Sequence, residues 1–149
     1  MKLPTTLKPV ILAALVTQAV YAGPLDPYRG ANRLIIVSVP DNSSATKVAA
    51  ALVKHREKIQ ERELKIIDVS EGTHRIPVAL RLPPEQTISL RKQFNLTNEN
   101  TSPVFILIGK DGGEKAWQTG TLDLDKWFVL IDRMPMRRRE MQNQRKETH

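Results

Sequence analysis

Cysteine is absent from all 149 residues. Without a thiol there is no redox dithiol, no peroxidatic thiolate and no cysteine nucleophile. A lipid anchor on cysteine is excluded as well. Small exported proteins often compensate for a modest core with disulfides; this chain has to hold together by burial alone.

Long apolar runs are scarce too. A membrane-spanning helix needs about 20 apolar residues. The longest charge-free stretch ends at Leu25 and is interrupted by Thr17, Gln18 and the Gly23-Pro24 break. What precedes it has the form of an export signal: Lys2 and Lys8 as a basic start, the apolar stretch Pro9 to Val20, and small side chains at Val20 and Ala22. Cleavage is expected after Ala22, which assigns residues 1–22 to a signal peptide and makes the mature protein periplasmic or secreted. Residues 23–141 then form one domain of ordinary size, and no later segment is long enough to span a membrane.

Acidic residues are outnumbered. The precursor carries +7; without Lys2 and Lys8, 21 basic residues stand against 16 acidic ones, a net charge of +5. Most of that excess lies at the end. Arg133, Arg137, Arg138, Arg139, Arg145 and Lys146 face only Glu140 and Glu147, so that stretch carries +4 and the body is almost neutral. Arg133, Arg137, Arg138, Arg139 and Lys110 are therefore the candidate anion-binding residues, since guanidinium forks suit phosphate, lipid headgroups and acidic polysaccharide. Nucleic acid is not expected as a partner of an exported protein. The plainer account of the run is a solvated helix end, where cations favour the dipole terminus.

The periodicity gives the elements. Arg33 to Val39 is a β-branched apolar run that reads as a buried strand. After the turn-rich Pro40 to Ser44, a helical stripe of Val48, Leu52, His55 and Ile59 predicts one amphipathic helix from Ala45 to about Glu61. Leu64 to Val69 is a second strand. In Glu71 to Pro83, Ile76, Val78, Leu80 and Leu82 alternate, but Pro77 argues against a central strand, leaving an insertion with edge pairing at most. Pro83-Pro84-Glu85 opens a helix that ends near Asn95. Pro103 to Ile108 is the strongest strand; Lys110-Asp111-Gly112-Gly113 is a hairpin turn rather than a phosphate loop, since the Walker spacing is missing. Glu114 to Thr119 returns as a strand, and Asp123 caps a last helix that stops or kinks at Pro135. Residues 142–149 lack an apolar period and are expected to be a disordered basic tail.

Strand, helix, strand, helix, strand, strand, helix is the βαβ–α–ββα order of a thioredoxin-like fold. The expected class is α/β: a three-layer α/β/α sandwich with a mixed central sheet. Two stretches also carry a family resemblance. Leu107-Ile-Gly-Lys-Asp-Gly-Gly-Glu-Lys115 and, more specifically, Leu130-Ile-Asp-Arg-Met-Pro-Met-Arg-Arg-Arg-Glu-Met141 resemble the domain-of-unknown-function family 4174. The resemblance covers most of the mature chain. It implies a thioredoxin- or peroxiredoxin-like fold and export, with relatives in secreted sushi-repeat matrix proteins, and it supplies no catalytic residues.

In a redox thioredoxin the turn after the first strand holds the reactive cysteines; here it reads Pro40-Asp41-Asn42-Ser43-Ser44. Either it is a repurposed binding loop or a helix cap. Ser102-Pro103 occupies the place of that fold's cis-proline. Cis and trans both stay open, and a cis bond would shape a groove beside Asn42 and Ser43. Asn42, Ser43 and Pro103 are thus the candidate groove. His55 reads as a core or boundary residue, and His74 and His149 are isolated in sequence. No spacing suggests a zinc site or a nucleophile elbow, and no cofactor is expected. Met134, Met136 and Met141 read as packing residues rather than a copper site. The Asn42, Asn95 and Asn100 sequons are expected to be bare in a short cysteine-free protein of bacterial character. The favoured function is a non-enzymatic module binding a protein or polyanion. The alternative is a cysteine-independent enzyme that uses the Asn42-Ser43 turn beside Pro103, which requires a base within reach of Ser43.

Overall fold

A computed structural model describes residues 23–147; the expected signal peptide, residues 1–22, lies outside the described residues. Strand β1 (Arg33–Ser38) is buried along its whole length, as its run of apolar side chains requires when both sheet faces are covered. It pairs in parallel with β2 (Leu64–Asp68) and antiparallel with β3 (Val104–Ile108). Strand β4 (Glu114–Thr119) completes the sheet antiparallel to β3, giving the order β2-β1-β3-β4.

The pleat sends alternate residues to two cores. Ile35, Val37, Phe105 and Leu107 meet the apolar faces of helices α1 (Asn42–Lys54), α2 (Arg56–Glu61) and α4 (Leu124–Asp132), through Val48, Leu52, Ile59, Trp127, Phe128 and Ile131. Leu34, Ile36, Ile67, Ile106 and Ile108 meet Leu90, Phe94 and Leu96 from helix α3 (Pro84–Gln93) and the segment after it. A short 3-10 turn at Asp26–Tyr28 brings Tyr28 and Leu25 onto this second core. The result is a three-layer α/β/α sandwich with the expected element order.

The elements differ from the sequence expectations in two places, and in a third, the insertion, the expected edge pairing becomes specific. The first helix breaks at His55 (φ −104°, ψ 17°), whose N–H bonds to the Ala51 carbonyl. The apolar stripe runs unbroken across this point, so periodicity does not reveal it. In the insertion, the edge pairing narrows to Leu80, which bridges to Ile67 in parallel through hydrogen bonds to Asp68 and Ile66. Finally, the stretch expected as a disordered tail is helical up to Glu147. Of the two expectations at Pro135 the stop holds, since α4 ends at Asp132, and Pro135 itself begins α5 (Pro135–Glu147), its natural position in a first turn. Among the described residues no helix is long and apolar enough to cross a membrane.

Candidate functional site

At the carboxyl end of β2 the sequence places one charged residue in an apolar strand, and the fold uses it as an anchor. Asp68 is fully buried. Its Oδ1 accepts from the Ser70 N–H at 2.9 Å; its Oδ2 accepts from the Ile76 N–H and from Arg81, each at 3.2 Å. Ser70 in turn accepts from the Val39 N–H at 2.9 Å. The insertion is thereby tied to the end of β1, and Ile76 is drawn into the core.

These ties shape a crevice of about 280 Å³ lined by Ser38, Pro40, Glu71, His74, Arg91 and Asn98, among others. Arg91 reaches it from the last turn of α3 and is 7 % exposed. Its guanidinium donates to Ser38 Oγ (3.1 Å), the Val69 carbonyl (2.9 Å) and Asn98 Oδ1 (3.0 Å), and its Nε pairs with Glu71 at 3.0 Å. His74 Nδ1 lies 3.2 Å from Asn42 Oδ1.

The candidate groove of Asn42, Ser43 and Pro103 is not assembled as one surface. No cis peptide bond occurs among the described residues, so Pro103 is trans. Ser102 lines the Arg91 crevice, whereas Pro103 lines a separate cavity of about 280 Å³ with Ser44, Lys47 and Leu122 on the α1 side. The turn caps its helix through Asp41, whose carboxylate accepts from the Ser44 N–H at 2.7 Å. That bond, followed by a smaller opposing effect of desolvation, leaves the Asp41 carboxyl below its ordinary value. Among the described residues no side chain bonds to the Ser43 hydroxyl.

The opposite end of the sheet gathers the basic candidates, with a different outcome for each. Arg137 is completely buried. It pairs with Glu61 (2.5 Å), Asp132 (3.3 Å) and Glu140 (3.6 Å) and donates to the Glu61 carbonyl. Lys110 is buried against Glu63 and Glu140. Neither is available to an external anion, because each is already neutralised inside the protein. Arg133, Arg138 and Arg139 are exposed. Arg33, at the start of β1, forms a two-pronged pair with Glu140 at 3.1 Å on both arms. Arg62 holds Asp132 at 2.6 Å and lies over the Phe128 ring. Desolvation alone would raise the Glu140 carboxyl, yet Arg33 and Lys110 hold it below the usual glutamate range. Desolvation likewise opposes the charge on Lys110, and its two carboxylate partners override it and raise its value.

This network accounts for the Leu130 to Met141 motif. Ile131 enters the core, the half-buried Asp132 and Glu140 are ion partners of the buried Arg137, and Met134 packs against the core. A family model described as "Domain of unknown function (DUF4174)" matches residues 24–140. The chain belongs to this family. Its specific motif is, in this structure, the lock between α5 and the sheet. No curated protein matches the chain.

Solved structures supply the fold comparison. A reduced Plasmodium vivax 2-Cys peroxiredoxin is 16 % identical with a TM-score of 0.55, covering 82 % of this chain and 84 % of that one. The Xanthomonas campestris bacterioferritin comigratory protein is 13 % identical with a TM-score of 0.56, covering 72 % and 82 %. The thioredoxin domain of a Bacteroides vulgatus thiol-disulfide oxidoreductase is 14 % identical with a TM-score of 0.51, covering 72 % and 81 %. These likenesses establish a thioredoxin-like fold for this member of the DUF4174 family; at such identities they carry nothing of the chemistry.

Several residues of both sites escaped the sequence reading. Arg91 and Glu71 are unremarkable in a helix and a loop. Asp68 did carry a signal, a carboxylate inside an apolar strand. Arg33 and Glu140 are 107 positions apart, and no local pattern links them.

Proposed function

We propose that this protein is an exported module on a thioredoxin-like scaffold that acts by contact instead of electron transfer, and that its contact surface is the crevice outside the carboxyl ends of β1 and β2. The observation that carries this is the buried Arg91 guanidinium opening on a polar crevice beside a cysteine-free turn. In open α/β sheets this end is where ligands are received. Export rests on the basic, apolar and small-residue order of residues 1–22.

Two measurements test the reading. The purified protein should neither reduce insulin disulfides with dithiothreitol nor consume peroxide; turnover without an added metal or cofactor would overturn it. A photo-reactive residue at His74 should cross-link to a discrete partner in the native envelope, and one at Gln93, on the exposed side of α3, should not. Equal labelling at both positions would count against the crevice.

A second reading is favoured by the exposure of Arg133, Arg138 and Arg139, which enter no ion pair among the described residues. It makes this face a polyanion contact. Heparin or anionic vesicles should then retain the protein at low salt, and Arg133→Ala, Arg138→Ala and Arg139→Ala together should abolish retention. Arg137 is left intact because it is structural. The enzymatic alternative requires a base at Ser43, and among the described residues no side chain bonds to that hydroxyl.

A further inference from the structure

Arg91 has one charged partner and three neutral ones, and the difference between them is mobility. Ser38 closes β1, Val69 follows β2 directly, and Asn98 lies in the loop before β3. Their oxygens fix the guanidinium plane but do not cancel its charge. Only Glu71 brings a negative charge, through Nε. The Glu71 side chain is 49 % exposed, in a loop where the next residue, Gly72, has φ +68° with open space around it. A buried cation requires an anion beside it, and here the anion is supplied by a side chain that has a free route into water.

Glu71 and Arg91 also form a common wall. Both line the crevice of about 280 Å³. Both line a neighbouring cavity of about 410 Å³, together with Arg75 and Arg81. A displaced Glu71 would leave Arg91 facing this joined space with its charge unanswered.

The geometry points to Arg91 as the receptor for a carboxylate-bearing ligand, with Glu71 occupying the site in the free protein as a tethered stand-in. The ligand class follows from the group it replaces: a planar carboxylate already pairs at Nε, so another carboxylate exchanges charge for charge. This rests on the reading of the crevice as the contact surface and names what that surface takes. A tethered carboxylate competes at an effective concentration in the millimolar range or above, so the unaltered protein binds a free carboxylate weakly and removal of the competitor strengthens binding.

The test is a titration of the full chain and of Glu71→Gln with acetyl-diglycine carrying a free carboxylate, with its C-terminal amide, and with inorganic phosphate. Binding is followed by the amide NMR signals of Gly72, His74 and Asn98. The free acid should shift these signals and bind about tenfold more tightly to Glu71→Gln than to the parent; the amide should bind neither. Equal affinity of the two proteins, equal binding of acid and amide, preference for phosphate, or shifts confined to Arg138 and Arg139 would each overturn the assignment. Glu71→Gln alters a half-exposed side chain, and a melting curve confirms that it folds. Failure here with cross-linking at His74 retained would remove the carboxylate and leave the contact surface standing; loss of both would remove the surface itself.

Discussion

Arg137, Arg138 and Arg139 are adjacent in sequence and opposite in role. The helical twist turns Arg137 onto the sheet end, where three carboxylates and a carbonyl surround it, and leaves the other two in solvent. Truncating one member of a buried ion cluster strands its partners. Arg137→Ala should therefore cost about 3 kcal/mol, the low end for a broken buried pair because Glu61 and Asp132 keep some access to water. Arg138→Ala should stay within about 0.5 kcal/mol, as exposed substitutions do. Urea unfolding of the two variants checks this, and equal costs would refute the separation. The sequence could nominate the arginine run but could not rank its members, since Arg137 is held by Glu61 at the end of α2, 76 positions earlier. The same applies to Arg91: its helix is weakly amphipathic, and the partners that fix it come from three separate loops and strand ends.

Elements were far more legible than sites. Strands buried on both faces announce themselves as apolar runs, as in the cores of β1 and β3, while β2 interrupts its run with an exposed Lys65 and ends on Asp68. What stayed hidden were features that conserve the pattern while changing the backbone. The break at His55 is one; the ring edge of His55 meets Phe128 with centroids 5.8 Å apart, and the stripe continues through it to Ile59. The other is the end of α5. Residues 142–147 are exposed, so composition alone reads as a tail, although the helix begun at Pro135 carries on through them. Propagating a helix already nucleated and anchored at Arg137 and Glu140 needs no apolar face. Termination after Met141 should accordingly change stability by less than about 1 kcal/mol, whereas termination after Arg133 should prevent cooperative folding, because it removes Arg137 and Glu140 together. Circular dichroism melts of the two truncations distinguish these outcomes; a large loss on removing only residues 142–149 would show that the end of α5 is anchored by more than the ion cluster.

At the scale of the whole molecule, the ion cluster joins parts that the sheet does not. Arg33, Arg62, Lys110 and Arg137 meet Glu61, Glu63, Asp132 and Glu140, and so connect the start of β1, the turn before β2, the end of β3 and the junction of α4 with α5. Without disulfides, this is the closest thing the fold has to a cross-link, and it is one that protons can open. The direction follows from the shifts. Glu140 is held below its ordinary value of 4.5, so its contribution is complete above that pH and is lost as pH falls through the lower folded value. Lys110 is raised above its ordinary 10.5, so its contribution is complete below that pH and is lost as pH rises through the higher folded value. Stability should be level from about pH 5 to about pH 10 and fall at both ends. In Glu140→Gln the carboxylate that accepts from both Arg33 and Lys110 is gone. The variant should be less stable on the plateau and should fall less steeply below about pH 4.5, since one proton-binding step has been removed. Urea midpoints measured across that range for both proteins decide it. An unchanged acid slope would mean that the pairing of Glu140 with Arg33 and Lys110 contributes nothing to the acid limb, and that other carboxylates, such as Asp111 with its Lys115 partner, set where the fold gives way.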